Sequence, residues 1–181
     1  MKHLEEKFVS REEIFDGKVL HVVCDTIELP NGKNATREIC LHNGAVAVIP
    51  VLADGRVIME RQYRYAHGEV MLEIPAGKLD SPDEIPLEAA RRELREETGA
   101  LSGKMTYLGK IVASPALIGE TIYLYLAEEL TFGERELDED EFLDVEYIPL
   151  SELKRMVMDG EIPDGKTQIA VLKASEILKN R

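Results

Sequence analysis

Residues 77–100 read GKLDSPDEIPLEAARRELREETGA, a stretch with seven carboxylates and three arginines. Two chemistries fit such a run: a solvated helix face laced with ion pairs, or a site for a divalent cation. On a helix of about 100° per residue, Leu87, Ala90 and Leu94 form an apolar stripe; Glu93 and Glu97 lie together beside it, with Glu96 one step round. Like charges four residues apart destabilise an isolated helix by roughly 0.2–0.5 kcal/mol, so two carboxylates at the edge of a core make better sense with a cation between them. Mg²⁺ suits the arrangement, because it accepts a few carboxylates, keeps waters and meets phosphate oxygens. Arg91, Arg92 and Arg95 are placed to hold neighbouring glutamates. By itself RRELREE also fits a surface helix, and the choice turns on what flanks it.

The elements around this segment alternate between strands and helices. KVLHVVCDTIEL (18–29) and ATREICL (35–41) read as strands joined by the turn PNGK, and the first forty residues form an N-terminal meander. GAVAVIPVL (44–52) is an apolar run suited to a buried strand, followed by the turn ADGR and the strand VIMERQYR (57–64). Ser81 and Glu84 have capping-box spacing, but Pro86 is tolerated only in a first turn, so the helix begins near residues 83–85 and runs to Thr98 with Gly99 as its stop. Strands follow at 105–114 and 121–130, then an acidic loop (133–141), a strand at 142–150, and helices at 151–160 and 167–180. The succession predicts an α+β sandwich of mixed sheet and flanking helices behind an antiparallel meander.

The chain has 181 residues, 44% hydrophobic and 31% charged, which excludes disorder over most of its length and fits one compact domain with a small appended element. The net charge of −13 repels nucleic-acid backbones, so a phosphate-bearing ligand needs placed arginines or bound cations. Cys24 and Cys40 form neither a metal spacing nor a disulfide framework, which implies a reducing, cytoplasmic setting. No signal core or membrane-spanning run is expected.

The stretch resembles the signature of the Nudix hydrolases, G-x5-E-x7-R-E-U-x-E-E-x-G-U, where U is a bulky aliphatic. RELREETGA (92–100) fits its second half with a small Ala100 at the end, and Glu84 stands eight residues before Arg92. Gly77 departs from it, with six residues rather than five before Glu84; the extra residue falls in the loop KLDSPD, where an insertion costs little. The resemblance implies a Nudix-type α/β/α sandwich and a site for Mg²⁺ or Mn²⁺. Its ligands would be Glu93, Glu97 and the Ala76 carbonyl, with Glu96 additional, Arg92 orienting the carboxylates and Glu84 in support.

LEIPAGKL (72–79), RQYRY (61–65) and Pro115 in ASPALIGE resemble the branch of the family that hydrolyses ADP-ribose and nucleotide sugars. That branch implies substrate contacts at Arg37 and Arg64, whose guanidinium groups suit bidentate phosphate recognition and base stacking. Arg61, Glu73, Pro115 and Leu117 are further candidates, although Arg61 also reads as a surface ion pair. The loop before EFLDV offers Glu141, and next to it Glu139, as the general base for the attacking water. The branch further implies a homodimer built through the N-terminal strands, dividing the chain into an arm at 1–41 and a catalytic domain at 42–181. The expected substrate is ADP-ribose or a related ADP-sugar. Alternatives are a broader nucleoside-diphosphate-linked or nucleoside-triphosphate pyrophosphohydrolase, or a sensing module that binds without turnover.

Overall fold

The structure, a computed structural model, describes residues 1–137 and 141–180. The chain divides into two units: Met1–Asn43 with Val112–Glu120, and Gly44–Ile111 with the described residues from Thr121 onward.

The first unit is built on an antiparallel sheet in the order β1 (Lys7–Asp16), β2 (His21–Glu28), β3 (Asn34–Leu41). β2 buries Val23, Asp25 and Ile27 on one face, and Arg11 of β1 holds the Asp25 carboxylate in a bidentate pair at 2.6 and 2.7 Å. All ten residues of β1 are exposed, and its sequence KFVSREEIFD mixes charges with apolar groups, which gives it a weaker pattern than the two strands that follow. Leu117 and Gly119 bind the backbone of Cys40, tying the 112–120 segment to β3.

The second unit is a sandwich around β4 (Ala45–Pro50), whose six residues are all buried. β4 lies between β7 (Ala76–Lys78), antiparallel, and β9 (Thr121–Phe132), parallel, and β8 (Ala100–Val112) flanks β9. A second sheet has the order β10 (Leu143–Pro149), β5 (Arg56–Arg64), β6 (Glu69–Glu73). Side-chain alternation divides β4 between two cores. Ala45, Ala47 and Ile49 pack with Val57, Met59 and the helices α2 (Leu150–Met158) and α3 (Gly165–Lys179), through Leu153, Ala170, Val171 and Ala174. Val46 and Val48 pack with Ile58 and with Ala89, Ala90 and Leu94 of α1 (Pro86–Thr98). The expected mixed-sheet α/β/α sandwich and antiparallel N-terminal meander are both found.

α1 starts as the proline requires, with Pro86 in its first turn and the preceding Ile85 extended. It ends on Gly99 in the left-handed region at φ 71°, whose N–H binds the Arg95 carbonyl. Ser81 and Glu84 do not cap the helix; the Glu84 carboxylate accepts the Asp80 N–H at 2.6 Å and closes the loop upon itself. The buried face of α1 runs Ala89, Ala90, Glu93, Leu94, Glu97, Thr98, so two carboxylates continue the apolar stripe into the interior.

Candidate active site

β7 lies beside the central strand, with Ala76 opposite Ala47, and this brings its backbone under the buried face of α1. The Ala76 N–H donates to the Glu97 carboxylate at 2.9 Å. Gly77 touches Glu93 so closely that a β-carbon there would fall on the carboxylate. The glycine therefore stands at the glutamate despite the extra residue, which the 79–85 loop absorbs.

Arg92 ties this loop to the helix. Its guanidinium donates to Glu93 at 2.8 Å, Glu96 at 3.1 Å, the Lys78 carbonyl at 3.2 Å and Glu84 at 3.4 Å. Burial alone would lower its pKa, but the charge on Glu93 and the bonds to Glu96, Glu93 and Glu84 outweigh that and raise it. Arg95 lies farther out and binds Glu136 at 3.2 Å.

The carboxylates carry the cost of burial. Glu93 is pushed up to about 7 by burial, with Arg92 opposing and the charges of Glu96 and Glu141 adding. Glu97 is raised by burial and then by the charges of Glu60, Glu93 and Glu141. Glu60, on β5, is raised by burial against the opposing charge of Arg135, and by Glu141 and Glu73. Each of these acids stands in the field of others, an arrangement that a divalent cation stabilises in its ionised form.

All of the donors are oxygens, the set that Mg²⁺ and Mn²⁺ prefer, and Glu60 adds a buried Oε1 with no hydrogen-bond partner among the described residues. Among the described residues no three acidic, histidine or cysteine side chains already form a ready cage; Glu93 is turned to Arg92 and Glu97 to the Ala76 amide. Chemically the residues fit the cation.

A second group lies at the start of α3. Arg64 grips Glu73 with two bonds, at 2.6 and 2.9 Å, and Lys166 binds the same carboxylate. Burial would raise Glu73, but Arg64 and Lys166 prevail and hold it at about 2. The three residues line a pocket of about 610 Å³ with Tyr65, His67 and Met71. The charge of Glu97 also reaches Arg64. Arg61 projects from the other face of β5 and pairs with Glu146 of β10, the ion-pair geometry that its sequence context also allowed.

Glu141 is half-buried, and its charge is felt at Glu60, Glu93 and Glu97. Glu139 lies outside the described residues. The remaining candidates belong to the first unit. Arg37 on β3 is half-exposed and paired with Glu6, while Pro115 and Leu117 are exposed on the segment tied to Cys40. The structure thus gathers Ala76, Arg92, Glu93, Glu96 and Glu97 about one end of α1, and Arg64 with Glu73 in the pocket.

Residues 41–167 match the family described as the NUDIX domain, a stretch that holds β4 to β10, α1 and α2. The chain belongs to the Nudix family. The N-terminal part of this Nudix hydrolase, residues 6–39, also matches a family described as the nucleoside diphosphate sugar hydrolase N-terminal domain. The whole chain is 44% identical over 173 residues to the ADP-ribose pyrophosphatase of Bacillus subtilis (strain 168), covering 94% of this chain and 93% of that one. It is 41% identical over 184 residues to the methanol dehydrogenase activator of Bacillus methanolicus, with 99% of each chain covered. The crystal structure of an ADP compounds hydrolase superposes with a TM-score of 0.86 at 26% identity, covering 97% of this chain and 95% of the other.

Glu60 and Lys166 were not among the sequence candidates. Glu60 has a signal in retrospect: an acid directly following the apolar Val57, Ile58 and Met59 of a strand buried on both faces. Lys166 has none, since its partner Glu73 is 93 residues away.

Proposed function

We propose that this Nudix hydrolase cleaves the diphosphate of ADP-ribose, or of a related ADP-sugar, with water, releasing AMP and ribose 5-phosphate or the corresponding sugar phosphate. The observation that carries the proposal is Glu97, 4% exposed and bonded to the Ala76 amide, with no arginine or lysine in ion-pair contact among the described residues. Such a carboxylate is costly unless a cation joins it. A bound Mg²⁺ or Mn²⁺ would supply neutralisation of the diphosphate charge and activation of the attacking water.

Glu93, Glu97 and the Ala76 carbonyl would hold the cation, with Glu96 additional. Arg92 keeps the carboxylates oriented, and Glu84 braces Arg92. Glu141 takes the proton from the attacking water; Glu139 is the neighbouring candidate. Arg64 binds the anionic substrate beside Glu73, with Arg61 in a lesser role; Arg37, Pro115 and Leu117 are further substrate contacts, Arg37 acting in trans from the dimer arm. The Arg64–Glu73–Lys166 pocket has a volume in the usual range for small-molecule sites.

The N-terminal residues 1–41 serve as a dimerisation arm for the catalytic domain at 42–181. The exposed apolar side chains Phe8, Val9, Ile14 and Phe15 on β1 support that role. A cytoplasmic setting agrees with the two free cysteines; no described helix is long and apolar enough to cross a membrane.

A second reading, hydrolysis of a wider set of ADP-linked diphosphates, is favoured by the structural neighbour, an ADP compounds hydrolase. The test is a hydrolysis series with ADP-ribose, ADP-glucose, diadenosine polyphosphates and nucleoside triphosphates, each with Mg²⁺ and Mn²⁺. ADP-ribose is expected to show the highest kcat/KM, with AMP and ribose 5-phosphate as products. Comparable turnover of several ADP compounds supports the second reading, and turnover of triphosphates alone overturns both.

A further inference from the structure

β5 enters the interior with Val57, Ile58 and Met59 fully buried, and its next side chain, Glu60, is only 4% exposed. Alternation along the strand places Glu60 on the face of Ile58. Ile58 belongs to the core under α1, with Ala90 and Leu94. Glu97 follows Leu94 by three residues and so stands one helical turn farther along the same face. Strand and helix thereby carry a buried acid each beyond the end of a shared apolar core.

Among the described residues the neighbours of Glu60 leave its Oε1 unpaired. Its Oε1 is buried and has no hydrogen-bond partner among the described residues, and a buried acceptor in that state bears its full desolvation penalty. Opposite it on β6 stands Glu73, already gripped by Arg64 and Lys166. Arg135, whose charge reaches Glu60, donates instead to the Leu143 carbonyl at 3.0 Å. Glu141 adds like charge. No role described above uses Glu60, and a leucine or valine in its place would extend the core without this cost.

We propose that Glu60 is a further ligand of the cation site, its free oxygen completing the coordination of a divalent ion held with Glu97. The proposal rests on the assignment of Glu93 and Glu97 as ligands. It widens the site from one helix to a helix and a strand, so that the cation fastens α1 to β5. The hard oxygen chemistry of the added donor matches Mg²⁺ and Mn²⁺.

The test is binding of Mn²⁺ alone, without substrate, by electron paramagnetic resonance and calorimetry, on the wild type, Glu60→Gln and Glu97→Gln. Melting temperatures are read with and without the ion. Glu60→Gln is expected to weaken Mn²⁺ binding by at least about tenfold or to remove one bound ion, by the scale of ligand-supporting groups. It should also shrink the Mn²⁺-dependent rise in melting temperature, while the metal-free protein melts no lower than wild type, having lost a buried charge. Wild-type affinity and stoichiometry in Glu60→Gln overturn the proposal. If Glu97→Gln is weakened in the same series, the helix site stands and Glu60 alone is wrong; if neither variant changes, both assignments fall. Glu60→Asp, which keeps the charge but withdraws the oxygen, is the second variant: weakened binding supports the role, and wild-type binding overturns it.

Discussion

The Glu93 carboxylate lies against Gly77 at the point where any β-carbon would be built. Since the obstacle is the end of a flexible side chain, Gly77→Ala should fold and push Glu93 aside. A misplacement of this kind costs about 10²-fold in turnover. The check is kcat together with Mn²⁺ affinity and metal-free melting; an alanine variant with wild-type kinetics would mean that Glu93 need not keep its place.

Glu97→Gln should preserve the fold and strongly reduce turnover, partly restored by excess metal. Glu96→Gln should be milder, because Glu96 is part-exposed and pairs with Arg92 and Arg95. Kinetics of the two variants across a metal titration decide this. Unchanged kinetics in Glu97→Gln would remove the helix from the mechanism.

The metal-free protein should be less stable at pH 8 than at pH 5. Glu93 has a folded value of about 7 against an ordinary 4.5, so its favourable contribution is fully present below about 4.5 and is lost as pH rises through 7. Glu60 and Glu97 are shifted the same way. Glu73, at about 2, acts in the opposite sense: its contribution is present above 4.5 and lost as pH falls through 2. Melting temperatures in EDTA should therefore drop from pH 5 to pH 8, and Mg²⁺ or Mn²⁺ at pH 8 should recover them. A melting temperature in EDTA that climbs over this range contradicts the electrostatic picture.

Glu141→Gln should lower kcat by about 10²–10⁴-fold with little change in substrate affinity, the usual cost of losing a positioned base. Glu139→Gln should be milder. If Glu139→Gln is the crippling change and Glu141→Gln is nearly silent, the base assignment is wrong and the family membership is untouched.

Replacing Phe8 and Phe15 together by aspartate should yield a monomer with poorer ADP-ribose affinity, read by sedimentation and by KM. Both rings are more than half exposed on β1, so the change removes no core packing. A variant that still dimerises and hydrolyses normally would dismiss the arm.

The sequence by itself determined the parts that depend on local spacing. Residues four apart share a helix face, so spacing alone pairs Glu93 with Glu97. Pro86 and Gly99 set the ends of α1 through backbone restrictions that act at a single residue, and the apolar run of β4 announced a strand buried on both sides. Tertiary structure alone decided which acids became costly, because desolvation depends on what packs from elsewhere in the chain. Glu60 reads as one charge in a strand until Ile58 joins Leu94 in one core and the Glu60 Oε1 is left without a partner among the described residues. Arg61 and Arg64 look alike in RQYR, yet one meets Glu146 and the other Glu73 from opposite faces of β5. Lys166 reaches Glu73 only because α3 starts beside β6, a proximity that no local spacing encodes.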